Sequence, residues 1–470
     1  MYIEVYNNHA YVTDSTVDES KIVNDLFTVD VPNAKYNPAF EQGMWDGKHR
    51  FYNYEGKYFP SGLISVIEEN AKLFNSLKID YKGVNPLPIN PSDITYDLAI
   101  EREPRDYQME CAKQCLIKGR GTSQVTIRGG KTEIIAMVLA NLPDLNVVYY
   151  FDKRMLLYQQ VDKLSKLLGQ EVGYTVGGDH RDGKIMCVSI PKFSREKARN
   201  KARELFKSAD VLIIDEAHHI NHEGYWFEYS MESEAYYRLG FSDTPKGVSL
   251  LNDMAVRAVT GPCIYTYTTA QAIEEGYVAK PQVIMIPVER RPRSLVPKDN
   301  YMQKYKKCIV DNDNRNKAII NIAKNTNLPT FILVDRKKHG KYLSKQLNAP
   351  FIQGSTPLPK RQKIQEDFDA GRVPIVIANS KVAGEGLDIE NIRVLVYTAA
   401  GKSPVKVYQG TGRALTRKRE GPNEVIIIDF LDRYDYTLRR QSSQRKKLYQ
   451  DKGYSVIQMY YEELLNILKE

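Results

Sequence analysis

Apolar positions in this chain fall into short unbroken runs more often than into alternating ones. "NVVYYF", "KIMCVSI", "VLIIDE" and "YRLGFS" occupy the middle of the sequence, and "PTFILVD", "VPIVIAN", "RVLVYT" and "EVIIIDF" follow after about residue 325. Runs without alternation predict strands covered on both faces, as in a parallel sheet flanked by helices. Two such series predict two α/β lobes in tandem. Between them "PVERRPRSLVPKD" has the proline and charge of a connector.

The first residues have a different texture. Tyr2 to Tyr6 and Ala10 to Thr13 flank "NNH", which predicts a hairpin, and "LISVIEENAKLFNSL" predicts a helix after Ser61. The three prolines of "NPLPINPSD" exclude a helix interior or a central strand there, so that stretch reads as a linker. These patterns predict a small α+β accessory domain over 1–95, a first lobe over 96–285, a second over 286–445 and a basic helical tail over 446–470.

Composition narrows the class without naming a task. The chain has 470 residues, 42% hydrophobic and 27% charged, enough for several cores. Its formal charge of +9 favours a polyanionic partner. The five cysteines are scattered, with no Cys-x-x-Cys pair, which fits a reducing compartment and no zinc site. Cys111 and Cys115, one helical turn apart, predict two small residues on a buried face. No apolar run approaches membrane-spanning length, and "MYIEVYNNHA" does not read as a secretory leader. A cytoplasmic protein without a membrane partner is expected, in the host cell if phage-encoded.

Two stretches carry chemistry. In "VTIRGGKT" the Gly129-Gly130 backbone, the Lys131 ammonium and the Thr132 hydroxyl are the groups that would face the phosphates and Mg²⁺ of a bound ATP. Val125 stands where the full phosphate-loop pattern has its first glycine, and Arg128 where a small residue is common. In "VLIIDEAHH" an apolar strand delivers Asp215 and Glu216 at its C-terminal end, the edge where open α/β sheets bind ligands. Asp215 is the candidate holder of Mg²⁺, and Glu216 the group that would orient and deprotonate water.

Asp-Glu-Ala-His on a strand after a Gly-Lys-Thr loop resembles the superfamily 2 helicases and translocases, and their other motifs follow in order. "RDYQ" is similar to the adenine-reading motif, which implies Arg105 and Gln108 at the base. "FDKRMLLYQQ" implies Lys153, Arg154 and Gln159 near a nucleic-acid strand, and Gly177-Gly178 and Ser189 fall where the family has backbone contacts. "FSDTP" resembles the motif that couples both sites, through Ser242 and Thr244. "IANSKVAGEGLDI" matches at Ser380, Gly384, Gly386 and Asp388, and "YQGTGRALTR" at Gln409, Gly412 and Arg413. The last arginine of that final motif is Thr416 here, with Arg417 one residue late, so either Arg413 or Arg417 could serve as the finger on the γ phosphate.

The segment Tyr36 to Leu63, with "NPAF", "WDG" and "PSGL", resembles the N-terminal domain of phage recombination helicases of the UvsW type. That resemblance implies a DNA-dependent ATPase that unwinds forked or branched DNA and migrates junctions. Phe40, Trp45, Phe51 and Phe59 could form a small core or stack on bases, and Lys48 and Arg50 could meet phosphates. The resulting expectation is two tandem RecA-like lobes with ATP and Mg²⁺ in the cleft, contacting DNA mainly through its phosphates and acting as a monomer. An RNA helicase, the motor of a restriction system and a non-hydrolysing clamp on ATP and DNA remain alternatives.

Overall fold

The computed structural model describes residues 1–100, 103–151, 154–176, 178–189, 196–243, 249–383, 389–401 and 403–467. The chain forms two compact units, residues 1–125 with 130–267, and 126–129 with 268–470.

The first unit holds an eight-stranded sheet in the order Asp179–Arg181, Gly173–Val176, Ile185–Ser189, Val147–Tyr150, Val211–Asp215, Tyr237–Ser242, Arg120–Val125, Cys263–Tyr267. Only the outer pair, Asp179–Arg181 with Gly173–Val176, is antiparallel. Each apolar run expected as a doubly covered strand is one: Val147–Tyr150, Ile185–Ser189 and Tyr237–Ser242 are buried at every position. Cys111 and Cys115 are fully buried on the helix Asp106–Lys118.

The amino-terminal residues build a four-stranded sheet ordered Tyr58–Pro60, His9–Asp14, Tyr2–Val5, Lys78–Tyr81, and the expected hairpin is its antiparallel centre. This sheet is not an independent bead on a linker. Its Phe27, Phe59 and Ile67 share one apolar core with Ile214, Ala217, Val256 and Val259 of the larger sheet and its helices. The contact is close: a Cβ added to Gly62 would lie 2.2 Å from the Arg257 carbonyl oxygen. The Arg120 guanidinium donates to Ser61 Oγ at 3.0 Å and to the Asn7 carbonyl at 3.3 Å. The proline-rich stretch is tied down too, since Leu87, Ile89, Ile94, Tyr96 and Leu98 pack on the other face of the large sheet. A segment too polar for a core thus gains stability by lying over one.

The second unit is a seven-stranded sheet in the order Phe351–Ile352, Ile375–Asn379, Thr330–Val334, Val394–Tyr397, Glu424–Asp432, Lys280–Val288, Ser455–Gln458, with its described pairings parallel. Here two expected boundaries are corrected. The division at 285/286 falls inside the strand Lys280–Val288, which pairs with Glu424–Asp432 along its whole length. Pro287 opens the stretch read as a connector, but on the Ser455–Gln458 side only Gln282 to Met285 are paired, so Pro287, like Pro281, lies outside that ladder. The tail expected from 446 belongs to this unit as well. The helix Tyr436–Asp451 runs across that position, Ser455–Gln458 is a sheet strand, and Leu464 enters the core. Arg445, directly before the expected tail, is fully buried, with bonds of 2.8 Å to both oxygens of Asp429. A buried arginine paired in this way is part of the core and not a free cation.

Candidate active site

The strand Arg120–Val125 feeds a turn in which the Gly129 amide donates to the Thr126 carbonyl at 2.9 Å, and the helix Lys131–Ala140 starts directly after it. Arg128 and Gly130 have φ of +66° and +75°. Two left-handed residues in three reverse the chain sharply and bring the first amides of the helix to the C-terminal edge of the sheet, an arrangement suited to anions. For Gly130 the requirement is double, because an added Cβ would also lie 2.1 Å from Gln108 Nε2. The Gln108 Oε1 in turn accepts from the Arg105 amide at 3.0 Å, and the Arg105 guanidinium donates to Tyr107 Oη at 3.0 Å.

The unusual front of the loop, 126–129, packs with the second unit. Thr126 Oγ1 lies 2.7 Å from Thr269 Oγ1, and Ile127 fills the space beside Gly412, where a Cβ would sit 2.4 Å from Ile127 Cδ1.

Four charged groups converge behind the loop. Lys131 Nζ lies 3.0 Å from Glu216 Oε1 and 3.9 Å from Asp215 Oδ1. Glu216 has φ +50° and ψ +50°, an uncommon conformation for a residue with a Cβ, and its amide donates to Asp215 Oδ1 at 3.0 Å. His218 Nδ1 is 2.8 Å from Ser242 Oγ and 3.4 Å from Glu216 Oε2. Asp243, almost fully buried, has a carboxylate oxygen within 4.8 Å of ligand atoms on Glu216 and His218.

Burial and charge act against each other here. Burial disfavours the Lys131 ammonium, but Glu216, Asp215 and Asp243 outweigh it and raise its pKa above the ordinary range. Burial pushes the Asp215 carboxyl up to about 6 despite Lys131. For Glu216 burial is outweighed by Lys131 and His218, and its pKa falls below the usual range. Burial takes His218 down to about 4, so it is neutral at pH 7. The site thus keeps an ionised Glu216 beside a cation. The oxygens of Thr132, Asp215, Glu216 and Asp243 are the hard ligands that suit a small divalent cation.

Gln160 and Asp243 were not singled out in the sequence. Thr132 Oγ1 donates to Gln160 Oε1 at 2.9 Å, one residue beyond the expected Gln159, whose side chain is exposed. Asp243 lies between the two motif positions that had attracted attention, and an acid directly after a strand's C-terminal end was the available signal. Gly386, Asp388 and Lys153 lie outside the described residues, as do Gly177, Thr244 and Gly384, and so do the side chains of Arg154 and Gln409.

Comparison with known proteins agrees with this layout. Residues 6–82 match the family described as DNA helicase UvsW, N-terminal; 101–247 match the type III restriction enzyme res subunit; 303–417 match the helicase conserved C-terminal domain. All three lie in one chain, in that order. The protein is a superfamily 2 helicase of the UvsW type. The ATP-dependent DNA helicase UvsW of Enterobacteria phage T4 is 21% identical to it over 94% of each chain. The DNA 3'-5' translocase XPB2 of Sulfurisphaera tokodaii is 23% identical over 72% of this helicase and 84% of its own length. Among solved structures, the DNA-bound type ISP restriction-modification enzyme LlaBIII shares the fold, with a TM-score of 0.57 and 14% identity over 87% of this chain and 36% of that one. This UvsW-type helicase is an ATP-dependent, DNA-binding enzyme that uses a divalent metal. No described helix is long and apolar enough to cross a membrane.

The residues expected at DNA are distributed over several surfaces of the helicase. Arg154 starts the helix Arg154–Leu168. Gly178 is open, with nothing within 4 Å of an added Cβ, whereas Ser189 is buried at the end of its strand. Ser380 donates to Asp335 Oδ1. Lys48 is exposed, and Arg50 pairs with Asp46. The aromatic residues split: Phe51 and Phe59 are core, while Phe40 is exposed beside Tyr36 and Met44, each 72% exposed. In the second unit Arg413 is half-buried at the end of the helix Pro404–Gly412, and Arg417 is exposed.

Proposed function

We propose that this helicase is a motor for branched DNA, unwinding forks and migrating junctions as a monomer in the host cytoplasm. The observation that carries the motor part is the grouping of Lys131, Asp215 and Glu216 at the C-terminal edge of one sheet, directly behind a helix start. Lys131 and the first amides of its helix bind the β and γ phosphates, Gln108 and Arg105 read the adenine, and Glu216 orients and deprotonates the attacking water. Thr132 and Asp215 would hold the divalent ion, taken to be Mg²⁺, which supplies charge neutralisation between phosphates. Gly386, Asp388 and Gln409 complete the nucleotide contacts, and Arg413 rather than the solvent-facing Arg417 is the finger.

The branched-DNA part is supported by the N-terminal sheet. The same N-terminal body carries exposed Tyr36 and Phe40, and exposed Lys48 and Arg50 on a strand paired with Thr28–Asp30, and it shares its core with the ATP-binding sheet. A junction held there is held by the ATP-binding unit itself. Lys153, Arg154, Gln159, Gly178, Ser189 and Ser380 are the proposed strand contacts.

The test is unwinding of forks, four-way junctions and plain duplexes at one salt concentration. Preference for the branched substrates is expected, and equal rates on all three would remove the branch-specific reading. A second reading, the motor of a restriction system, is favoured by the match of 101–247; it requires a nuclease partner to co-purify with the chain.

A further inference from the structure

The second unit carries exposed aromatic and sulfur-bearing side chains that neither the ATP chemistry nor any family motif uses. Tyr301 is 40% and Met302 56% exposed on the short helix Tyr301–Tyr305. That helix is pinned at two points. Tyr301 Oη donates to Gln441 Oε1 at 3.3 Å, and Lys304 pairs with Asp435 at 2.9 Å, so it is fixed to the helix Tyr436–Asp451. The Tyr301 ring stands edge-on to Tyr305, centroids 6.2 Å apart.

A cation is built into the same patch. Arg336, itself exposed, has its guanidinium carbon 5.1 Å over the Tyr305 ring and donates to Met302 Sδ at 3.4 Å. Its guanidinium is therefore held against the ring and the sulfur while the residue stays exposed. The next helix adds exposed Arg439 and Arg440, close in sequence to the Gln441 that anchors Tyr301.

The location connects this patch to the strand path. Asp335 follows the C-terminal end of the strand Thr330–Val334, and its carboxylate accepts from Ser380 Oγ through one oxygen and from Tyr305 Oη at 3.3 Å through the other. Ser380 is one of the expected nucleic-acid contacts, so a single carboxylate holds both that serine and the aromatic support of the patch. An exposed ring fixed by a hydrogen bond, beside a guanidinium, has the chemistry of a surface that takes unpaired bases, with a ring face for stacking and a cation for phosphate.

We propose that Tyr301 and Met302, backed by Arg336, form a base-stacking platform for single-stranded DNA on the second unit. It rests on the reading that the motor tracks one strand, and it adds that the strand is felt through its bases as well as its phosphates. Stacking does not depend on base identity, so the platform resists slippage without imposing a sequence preference.

The test compares binding of a short single-stranded oligonucleotide with the same oligonucleotide carrying a run of abasic sites, by fluorescence anisotropy, in the full chain. The native chain is expected to prefer the base-bearing strand. Tyr301→Ala with Met302→Ala is expected to weaken its binding about 5- to 150-fold, the effect of losing one stacked base, with far less change for the abasic strand. Tyr301→Phe keeps the ring and retains the preference. If the double variant discriminates between the two strands as well as the native chain does, the platform is wrong. Should the native chain bind neither strand and show no DNA-stimulated ATPase, the motor reading itself fails, a distinguishable outcome.

Discussion

Lys131 Nζ sits 3.0 Å from Glu216 Oε1, so the cation expected at phosphate and the carboxylate expected to act on water are in direct contact. A phosphate at Lys131 would compete with Glu216 for the ammonium, while Glu216 would accept the proton of water. The two substitutions should therefore differ. Lys131→Ala is expected to lose nucleotide affinity and about 10²- to 10³-fold of turnover, whereas Glu216→Gln loses about 10²- to 10⁴-fold of turnover yet still binds nucleotide. Phosphate release together with titration of a fluorescent ATP analogue separates them; if Glu216→Gln lost binding as fully as Lys131→Ala, the division of roles would be wrong.

Gly130 and Gln108 are in contact in a way that forbids a side chain. Gly130→Ala places a Cβ 2.1 Å from Gln108 Nε2 and also demands φ near +75°, which costs about 1–2 kcal/mol for a residue with a Cβ. The steric share is removable, since a Gln108→Ala background clears the space. Thermal unfolding of the four chains should show a smaller loss from Gly130→Ala in that background, and equal losses would mean that the two residues do not touch.

Lys418 is a buried lysine near the candidate finger, and it gives a pH dependence with a definite sign. Its Nζ donates to the Ala414 carbonyl at 2.9 Å, and burial, then Arg393 and Arg128, lower its pKa to about 7. Between about pH 7 and its unfolded value the unfolded chain binds more protons than the folded one, so this residue makes stability rise with pH across that window. The slope approaches about 1.4 kcal/mol per pH unit, and it should be absent from Lys418→Met. Chemical denaturation at pH 7, 8 and 9 measures it; parallel curves for both proteins would contradict the assignment.

The shared core of the first unit predicts that the N-terminal sheet does not melt by itself. Gly62→Ala pushes a Cβ against the Arg257 and Ala258 carbonyl oxygens, at 2.2 and 2.6 Å, and backbone cannot swing aside as a side chain does. A loss of about 1–3 kcal/mol is expected, felt by the N-terminal sheet and the ATP-binding sheet together. Calorimetry resolving a separate early transition for residues 1–85 would show instead that the sheet is an independent domain.

The sequence alone determined the class of fold and picked out residues that meet at the centre of the candidate site. Unbroken apolar runs sufficed for the strands, because burial on both faces leaves no polar position, and Lys131, Asp215 and Glu216 were legible because phosphate chemistry restricts which residues can stand at a strand end or helix start. Only the tertiary structure decided where the pieces end and which charges meet. Pro287, which opens the stretch read as a connector, lies in a strand paired with Glu424–Asp432. Arg445 belongs to the core because Asp429 lies beside it, and Phe40 and Phe59 looked alike although one is exposed and the other core. Asp243 and Gln160 enter the site through contacts between elements distant in sequence. Local pattern records how much of a residue must be buried; which partner it is buried against depends on long-range packing, which no short stretch of sequence contains.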